Sequence, residues 1–298
     1  MISAALHFPQ IDPVLFSINV FGIELAIRWY ALAYVAGFLL AWWWIGRMVR
    51  RVELWPAHTP PMTPKQVEDF LTWAIIGVIL GGRIGYVFFY AFEGFRADPT
   101  MIYRVWEGGM SFHGGFLGVV VAGALFCWKN KVPPLSFGDA LALGVPFGLF
   151  LGRIANFINA ELWGRPTAQP WGVIFPNTPE CPLFWLEPVC ARHPSQLYEA
   201  VLEGVLLFAV ILYLAISRGW LKQPGRIFGV FFVGYGAARI FVEMFRQGDS
   251  QFIGPNNPWG HVIRFGSEID SAGLTMGQVL SVPMVLVGLF FLLRKSRG

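Results

Sequence analysis

The sequence predicts an all-α polytopic membrane protein, with seven transmembrane helices and one small external head, on three observations. Hydrophobic residues make up 55% of the 298-residue chain and charged ones only 13%, too few charges to cover a soluble protein of that size. Apolar segments recur at roughly 18–27, 30–46, 68–91, 112–128, 137–158, 196–216, 226–245 and 276–293. With the first two merged they make seven spans, each near the ~20 residues that cross about 30 Å of hydrocarbon. Basic residues collect at alternate ends of these spans, so the chain reads as a single integral membrane domain over 1–298.

The N-terminal Met1–Pro13 has no basic n-region and no small-residue cleavage site, so it does not read as a removable signal peptide. Arg47, Arg50, Arg51 and Lys65 separate spans one and two, and Lys129 and Lys131 follow span three. Arg218, Lys222 and Arg226 lie between spans five and six, and Arg294, Lys295 and Arg297 end the chain. All share one side, which the positive-inside rule makes cytoplasmic, whereas Arg96 and Arg104 opposite are offset by Glu93, Asp98 and Glu107. The N-terminus is therefore outside and the C-terminus inside. The net charge of +4 does not point to nucleic acid, because the basic residues are scattered at helix ends.

Span one opens its main apolar run with Trp29-Tyr30, where Tyr30 is either an aromatic-belt residue or a functional one. Span two carries Arg83 in Gly81-Gly-Arg-Ile-Gly-Tyr86, as a partner for an acidic group or as one of several cations at a common depth. Span three begins Phe112-His113-Gly-Gly, with glycines that permit close helix packing. His113, at its outer mouth, is either a hydrogen-bonded interface residue or a proton acceptor.

Span four ends in Leu151-Gly-Arg-Ile-Ala-Asn-Phe-Ile-Asn-Ala-Glu-Leu-Trp-Gly-Arg-Pro-Thr167. Arg153 falls in or just beneath the headgroups, with Asn156 one turn later on the same face. An intramembrane arginine is expensive, and here it either pairs with a carboxylate, snorkels, or forks onto phosphate oxygens with the amide beside it. Asn159 and Glu161 meet the water boundary and Gly164 opens a loop.

Residues 161–195 form the one extended polar segment, expected as a small external head. Its Cys181 and Cys190 either pair in an oxidising compartment or stay as free thiols, and Cys127 sits in an apolar run. Pro194 and Ser195 start the next helix, with Ser195 a possible cap. Glu199 and Glu203, one turn apart, are placed to meet arginines of the fourth or sixth span. In span six, Tyr235, Arg239, Glu243 and Arg246 make a polar stripe, readable as a self-contained ion-pair ladder or as Glu243 orienting an arginine for a ligand.

Several of these runs together resemble one family. Gly152-Arg153, Asn156 to Asn159, Glu161-Leu-Trp-Gly164 and Thr167 are similar to the signature of the prolipoprotein diacylglyceryl transferases of the bacterial inner membrane. Leu6-His-Phe-Pro9, the Gly81 to Tyr86 run, His113-Gly-Gly, His193 to Glu199 and Gly234 to Arg246 extend the resemblance over nearly the whole chain.

The resemblance implies an N-terminus that is periplasmic, a C-terminus that is cytoplasmic and a periplasmic head. It also implies a reaction: transfer of the sn-1,2-diacylglyceryl group of phosphatidylglycerol to the lipobox cysteine of a prolipoprotein signal peptide, forming a thioether and releasing glycerol 1-phosphate. On that basis Arg153 and Arg239 contact the phosphate, Arg246 lies near the headgroup, and His113 takes the thiol proton. Tyr30, Asn156, Glu161, Gly164, Tyr235 and Glu243 position substrates or arginines. A histidine of pKa about 6.5 suits a thiol of about 8.5, and positioned cations suit a phosphate leaving group. The His193 to Glu199 run reads as support for the arginines. No cofactor fingerprint and no metal-ligand spacing is present. An anionic-lipid or headgroup transporter is the alternative, but the paired broken helices in related halves expected of one are not found.

Overall fold

The structure, a computed structural model, describes residues 5–20, 23–176, 178, 181, 190–268 and 271–294. Lys295 and Arg297 lie outside them. The chain forms two compact units, one of residues 1–41 with 142–298 and the other of residues 42–141. In chain order the first elements are β1 (Leu6–His7), β2 (Val14–Val20), β3 (Ile23–Arg28) and α1 (Trp29–Val49). α2 (Pro64–Tyr90), the short α3 (Phe92–Ala97), α4 (Phe112–Asn130), α5 (Pro134–Ala142), α6 (Val145–Ile158) and β4 (Val173–Ile174) follow. The next helix starts as α7 (Ser195–Glu199), passes through a π-helical stretch over Ala200–Leu206, and continues as α8 (Leu207–Leu212). α9 (Arg226–Val242), the hairpin of β5 (His261–Arg264) and β6 (Gly273–Thr275), and α10 (Met276–Leu293) complete the fold.

Among the described residues, six helices are long and apolar enough to cross a membrane: Trp29–Val49, Pro64–Tyr90, Phe112–Asn130, Pro134–Ile158, Ser195–Ser217 and Met276–Leu293. This is a multi-pass membrane protein. α9, expected over 226–245, has 17 residues and stops at Val242. The chain leaves the helix because Arg165 N donates to the Phe245 carbonyl at 2.8 Å, while Phe245 N and Arg246 N both turn back to Val242 O.

A second correction concerns 18–27, merged above into the first span. Val14–Val20 and Ile23–Arg28 pair instead as an antiparallel hairpin ahead of α1. Apolar residues alternate at Val14, Phe16, Ile18 and Val20, with Ser17 and Asn19 between them, a period of two that fits a strand rather than a helix. The protein is accordingly mostly helical rather than all-α.

In the 42–141 unit, α2 and α4 cross at backbone contact. A Cβ on Gly81 would come within 2.8 Å of Gly118 Cα, and one on Gly85 within 2.7 Å of Gly114 Cα, so only glycine permits this approach. Phe70, Phe126 and Phe137 fill the space beneath, with the Phe70 ring centroid 5.3 Å from Phe126 and 4.8 Å from Phe137. In the other unit α9 packs on α10, and α6 packs on the π-helical stretch, where Gly204 admits Phe150. In the same unit β1 pairs parallel to β4, and Cys181 joins Cys190 in a disulfide, the first of the two readings above.

Candidate active site

The loop that leaves α6 is built around Glu161. Ala160 and Leu162 on either side adopt left-handed φ of 52° and 57°, uncommon outside glycine. Asn156 Nδ2 donates to Glu161 Oε1 at 2.8 Å and Asn159 Nδ2 reaches the same oxygen at 3.5 Å. Gln196 Nε2 donates to the Glu161 carbonyl at 2.6 Å, and Ser195 Oγ to the Leu162 carbonyl at 3.1 Å. Ser195 thus clamps the loop instead of capping its helix, a correction to the expectation above; the N-cap position is Pro194. Gly164 is wedged where a Cβ would meet the Phe245 carbonyl at 2.5 Å and His193 Cβ at 2.7 Å.

Below that loop, three arginines and four carboxylates of the same unit form one chain of ion pairs. Arg153 Nε meets Glu199 Oε2 at 3.1 Å and its Nη2 meets Glu203 Oε2 at 3.6 Å. Arg239 Nη1 donates to the other oxygen of Glu199, and its Nη2 lies 2.5 Å from Glu243 Oε1. The same Glu243 oxygen takes Arg246 Nη1 at 3.1 Å, and Asp249 lies 3.4 Å from that nitrogen. Glu199, Glu203 and Glu243 are essentially fully buried, at 0%, 0% and 1% exposure, whereas the Arg153, Arg239 and Arg246 side chains retain 18%, 14% and 12%. The three glutamates lie behind and the arginines reach outward, with the exposed Asp249 beside Arg246, so Arg153 and Arg239 present their free edges to an incoming group.

Glu199 and Glu203 therefore meet the arginines of α6 and α9 as expected. Tyr235, stacked on Phe231 at 5.9 Å, lies within electrostatic range of Arg153, Glu199, Glu203 and Arg239. The Tyr30 hydroxyl lies 3.2 Å from that of Tyr34, a residue the sequence reading passed over, and Tyr34 is within electrostatic range of Arg153 and Glu161.

Two residues lie in the other unit. His113 is exposed in the first turn of α4, edge-on to Phe112 at 5.7 Å. Arg83 is buried, at 4% exposure, and its partners are backbone carbonyls: Ile102 O at 3.2 Å, Gly109 O at 3.1 Å, Gly108 O and Met101 O. It is a structural arginine, satisfied by carbonyls where an acidic partner was one expectation.

Aromatic and cationic contacts tie residues 163–171 to residues 192–198. Arg192 lies over the Trp163 ring at 4.1 Å, and burial pushes its guanidinium down to about 10. The His193 imidazole lies 3.1 Å from the Tyr198 hydroxyl, which accepts from Trp171 Nε1 at 2.9 Å. Burial, and then the Arg165 charge, hold His193 below the usual histidine range. Among the described residues no cluster of three or more His, Cys, Asp or Glu side chains could hold a metal ion.

Comparison with known proteins decides the family. A family model described as prolipoprotein diacylglyceryl transferase matches residues 13–294. The chain belongs to the prolipoprotein diacylglyceryl transferase family. Relatives named phosphatidylglycerol–prolipoprotein diacylglyceryl transferase include one from Cereibacter sphaeroides, 56% identical with 98% of each chain covered. One from Roseobacter denitrificans is 54% identical, again over 98% of each chain. One from Brucella anthropi is 48% identical over 99% of this chain and 95% of the relative. The runs that carried the resemblance in the sequence include those that build the Glu161 loop and the ion-pair chain of this family member.

Proposed function

We infer that this chain is a transferase that moves the diacylglyceryl group of phosphatidylglycerol onto a prolipoprotein, and that the buried ion-pair chain is where the phosphate is held. Its near-full-length relatives bear that activity as their name. The observation that carries the site is the alignment of Arg153, Arg239 and Arg246 along one row of buried carboxylates. A guanidinium fixed by an acid at one edge keeps other N–H groups in a set orientation. Preorganised donors of this kind stabilise charge as it develops, in a site where little water screens them.

The reaction this supports is attack by a lipobox cysteine thiolate on the glyceryl carbon that bears the phosphate. A C–S bond forms, the C–O bond to phosphate breaks, and glycerol 1-phosphate departs with the electron pair. Arg153 and Arg239 hold the departing phosphate and Arg246 lies near the glycerol headgroup. Asn156, Glu161 and Gly164 set the loop above, while Tyr30, Tyr235 and Glu243 orient substrate or arginine. His113, exposed at the start of α4, is proposed as acceptor of the thiol proton on its chemistry and on the family resemblance. The sn-1,2 geometry, the signal peptide and the bacterial inner membrane belong to the same proposal. So does a topology of seven spans, with the N-terminus periplasmic and α9 as the additional crossing.

The test is transfer of a labelled diacylglyceryl group from phosphatidylglycerol to a lipobox peptide by purified protein in detergent. Wild-type protein should label a Cys peptide and not its Cys→Ser counterpart, and Arg239→Ala should abolish labelling. Lipid binding without any transfer would instead support a headgroup transporter. Retention of wild-type turnover by His113→Gln at all pH values would remove that histidine from the mechanism.

A further inference from the structure

One carboxylate, Glu243, serves two arginines, and its second oxygen is held by α10. Glu243 Oε1 takes both Arg239 and Arg246, at 2.5 Å and 3.1 Å. Glu243 Oε2 accepts a hydrogen bond from Thr275 Oγ1 at 2.6 Å, between residues that are 1% and 2% exposed. Thr275 is the N-cap of α10. Its hydroxyl oxygen accepts from Gln278 N at 3.3 Å, so its single proton is left for Glu243. Gln278 completes the box by accepting from Thr275 N at 3.0 Å, and its Nε2 ties back to the Ile240 carbonyl of α9 at 3.3 Å. Gly277 closes the seat: a Cβ there would meet Glu243 Cδ at 2.5 Å and Oε1 at 2.6 Å. The first turn of α10 admits one placement of this carboxylate.

The placement has a chemical consequence. A carboxylate with both oxygens available forks onto one guanidinium through two parallel N–H bonds. That occupies one whole edge of the arginine and neutralises its charge at short range. With Oε2 engaged by a hydroxyl, Glu243 offers a single oxygen to the two arginines. Arg239 also gives Nη1 to Glu199, and Arg246 reaches the half-exposed Asp249 only at 3.4 and 3.5 Å, so each guanidinium keeps N–H groups that no buried carboxylate forks onto. We propose that Thr275 and Gly277 are positioning residues that restrict Glu243 to one-oxygen contacts, keeping Arg239 and Arg246 able to take the phosphate of an anionic lipid. The inference rests on the reading of those arginines given above. Neither residue touches substrate, and both act through Glu243.

The experiment measures KM for phosphatidylglycerol and kcat separately, in mixed micelles at fixed lipobox peptide, with the melting temperature of each variant. A hydrogen bond to a charged group is typically worth a tenfold to hundredfold effect, so Thr275→Val should raise KM about tenfold or more with a smaller change in kcat. Thr275→Ser keeps the donor and should stay near wild type. Gly277→Ala should raise KM in the same direction by displacing the carboxylate, with a fall in melting temperature because the displaced group is buried among its ion-pair partners.

Wild-type KM in Thr275→Val and Gly277→Ala, beside an inactive Arg239→Ala, would overturn this inference and leave the phosphate site standing. Wild-type kinetics in Arg239→Ala would overturn the phosphate site itself. A Thr275→Ser enzyme as impaired as Thr275→Val would place the effect in packing, against the proposal. If Thr275→Val does not fold, Gly277→Ala and Thr275→Ser decide the matter.

Discussion

Arg83, Arg153 and Arg239 sit in near-identical local sequences, each followed by isoleucine, yet their surroundings give them different work. Arg83 ties down the loop over residues 101–109 through four carbonyls, a set of partners that a lysine cannot span and a methionine cannot meet. Arg83→Met should therefore cost about 2–4 kcal/mol, since each buried carbonyl left without a donor costs roughly 1–3 kcal/mol. The thermal midpoint should fall and proteolysis should open the 101–109 loop, while KM for phosphatidylglycerol in the remaining folded protein stays unchanged. A raised KM at an unchanged midpoint would return Arg83 to the anion site.

His193 makes a second prediction at this scale. Its folded pKa lies below the ordinary value, through burial and then the Arg165 charge, so the unfolded chain binds a proton that the folded one refuses. Stability is therefore flat above an unfolded pKa of about 6.5 and declines as pH falls from there toward the folded value. His261, held low by burial and then by Arg165 and Arg264, adds a slope of the same sign. Melting temperature measured from pH 7.5 to 5 should drop, and the drop should be smaller in His193→Gln. Equal slopes would mean that the imidazole titrates alike in both states.

Among the elements, the contact between α2 and α4 is the one that tolerates least. Gly118 stands against Gly81, where an added Cβ would come within 3.0 Å of Gly81 Cα. Gly118→Val should separate the helices and destabilise the unit by about 1–3 kcal/mol or more, the usual cost of overpacking. A melting temperature at or above wild type would show that the two helices do not approach this closely.

How far such elements could be read from sequence depended on whether their pattern was local. The polar stripe of α9 was legible because Tyr235, Arg239 and Glu243 repeat at one helical turn, and Glu199 with Glu203 announced acids facing them. The hairpin before α1 was legible too, in its alternation, but overall hydrophobicity outweighed period and merged it with the span. The seat around Glu243 was not legible in the same way. Thr275 and Gln278 look like an ordinary capping box, and only the fold brings the hydroxyl to a carboxylate 32 positions earlier. The carbonyl cage of Arg83 was hidden for the same reason, since backbone acceptors leave no mark on residue type.

For the molecule as a whole, the number of times the chain crosses the bilayer turns on α9. Its 17 residues extend about 25 Å at 1.5 Å per residue, against roughly 30 Å of hydrocarbon. Arg239 and Arg246 lie at its C-terminal end, their side chains 14% and 12% exposed. On the function proposed above, the outer end of this short span carries the anion site, and it needs no more apolar length if lipid headgroups and water begin where the arginines do. Six crossings would put both termini on one side of the membrane, and seven would put them on opposite sides. The cysteine background suits the measurement, since Cys127 is buried and Cys181 and Cys190 are joined. Lys222→Cys, before α9, should react with a membrane-impermeant maleimide only after permeabilisation, and Ser250→Cys, beyond it, should react in intact spheroplasts. Both positions are exposed, so failure to react reports the membrane rather than burial. Labelling of both from the same side would make α9 a re-entrant segment. The phosphate site would then need water to reach Arg239 from a cytoplasmic vestibule, and transfer would have to be sought on the inner leaflet.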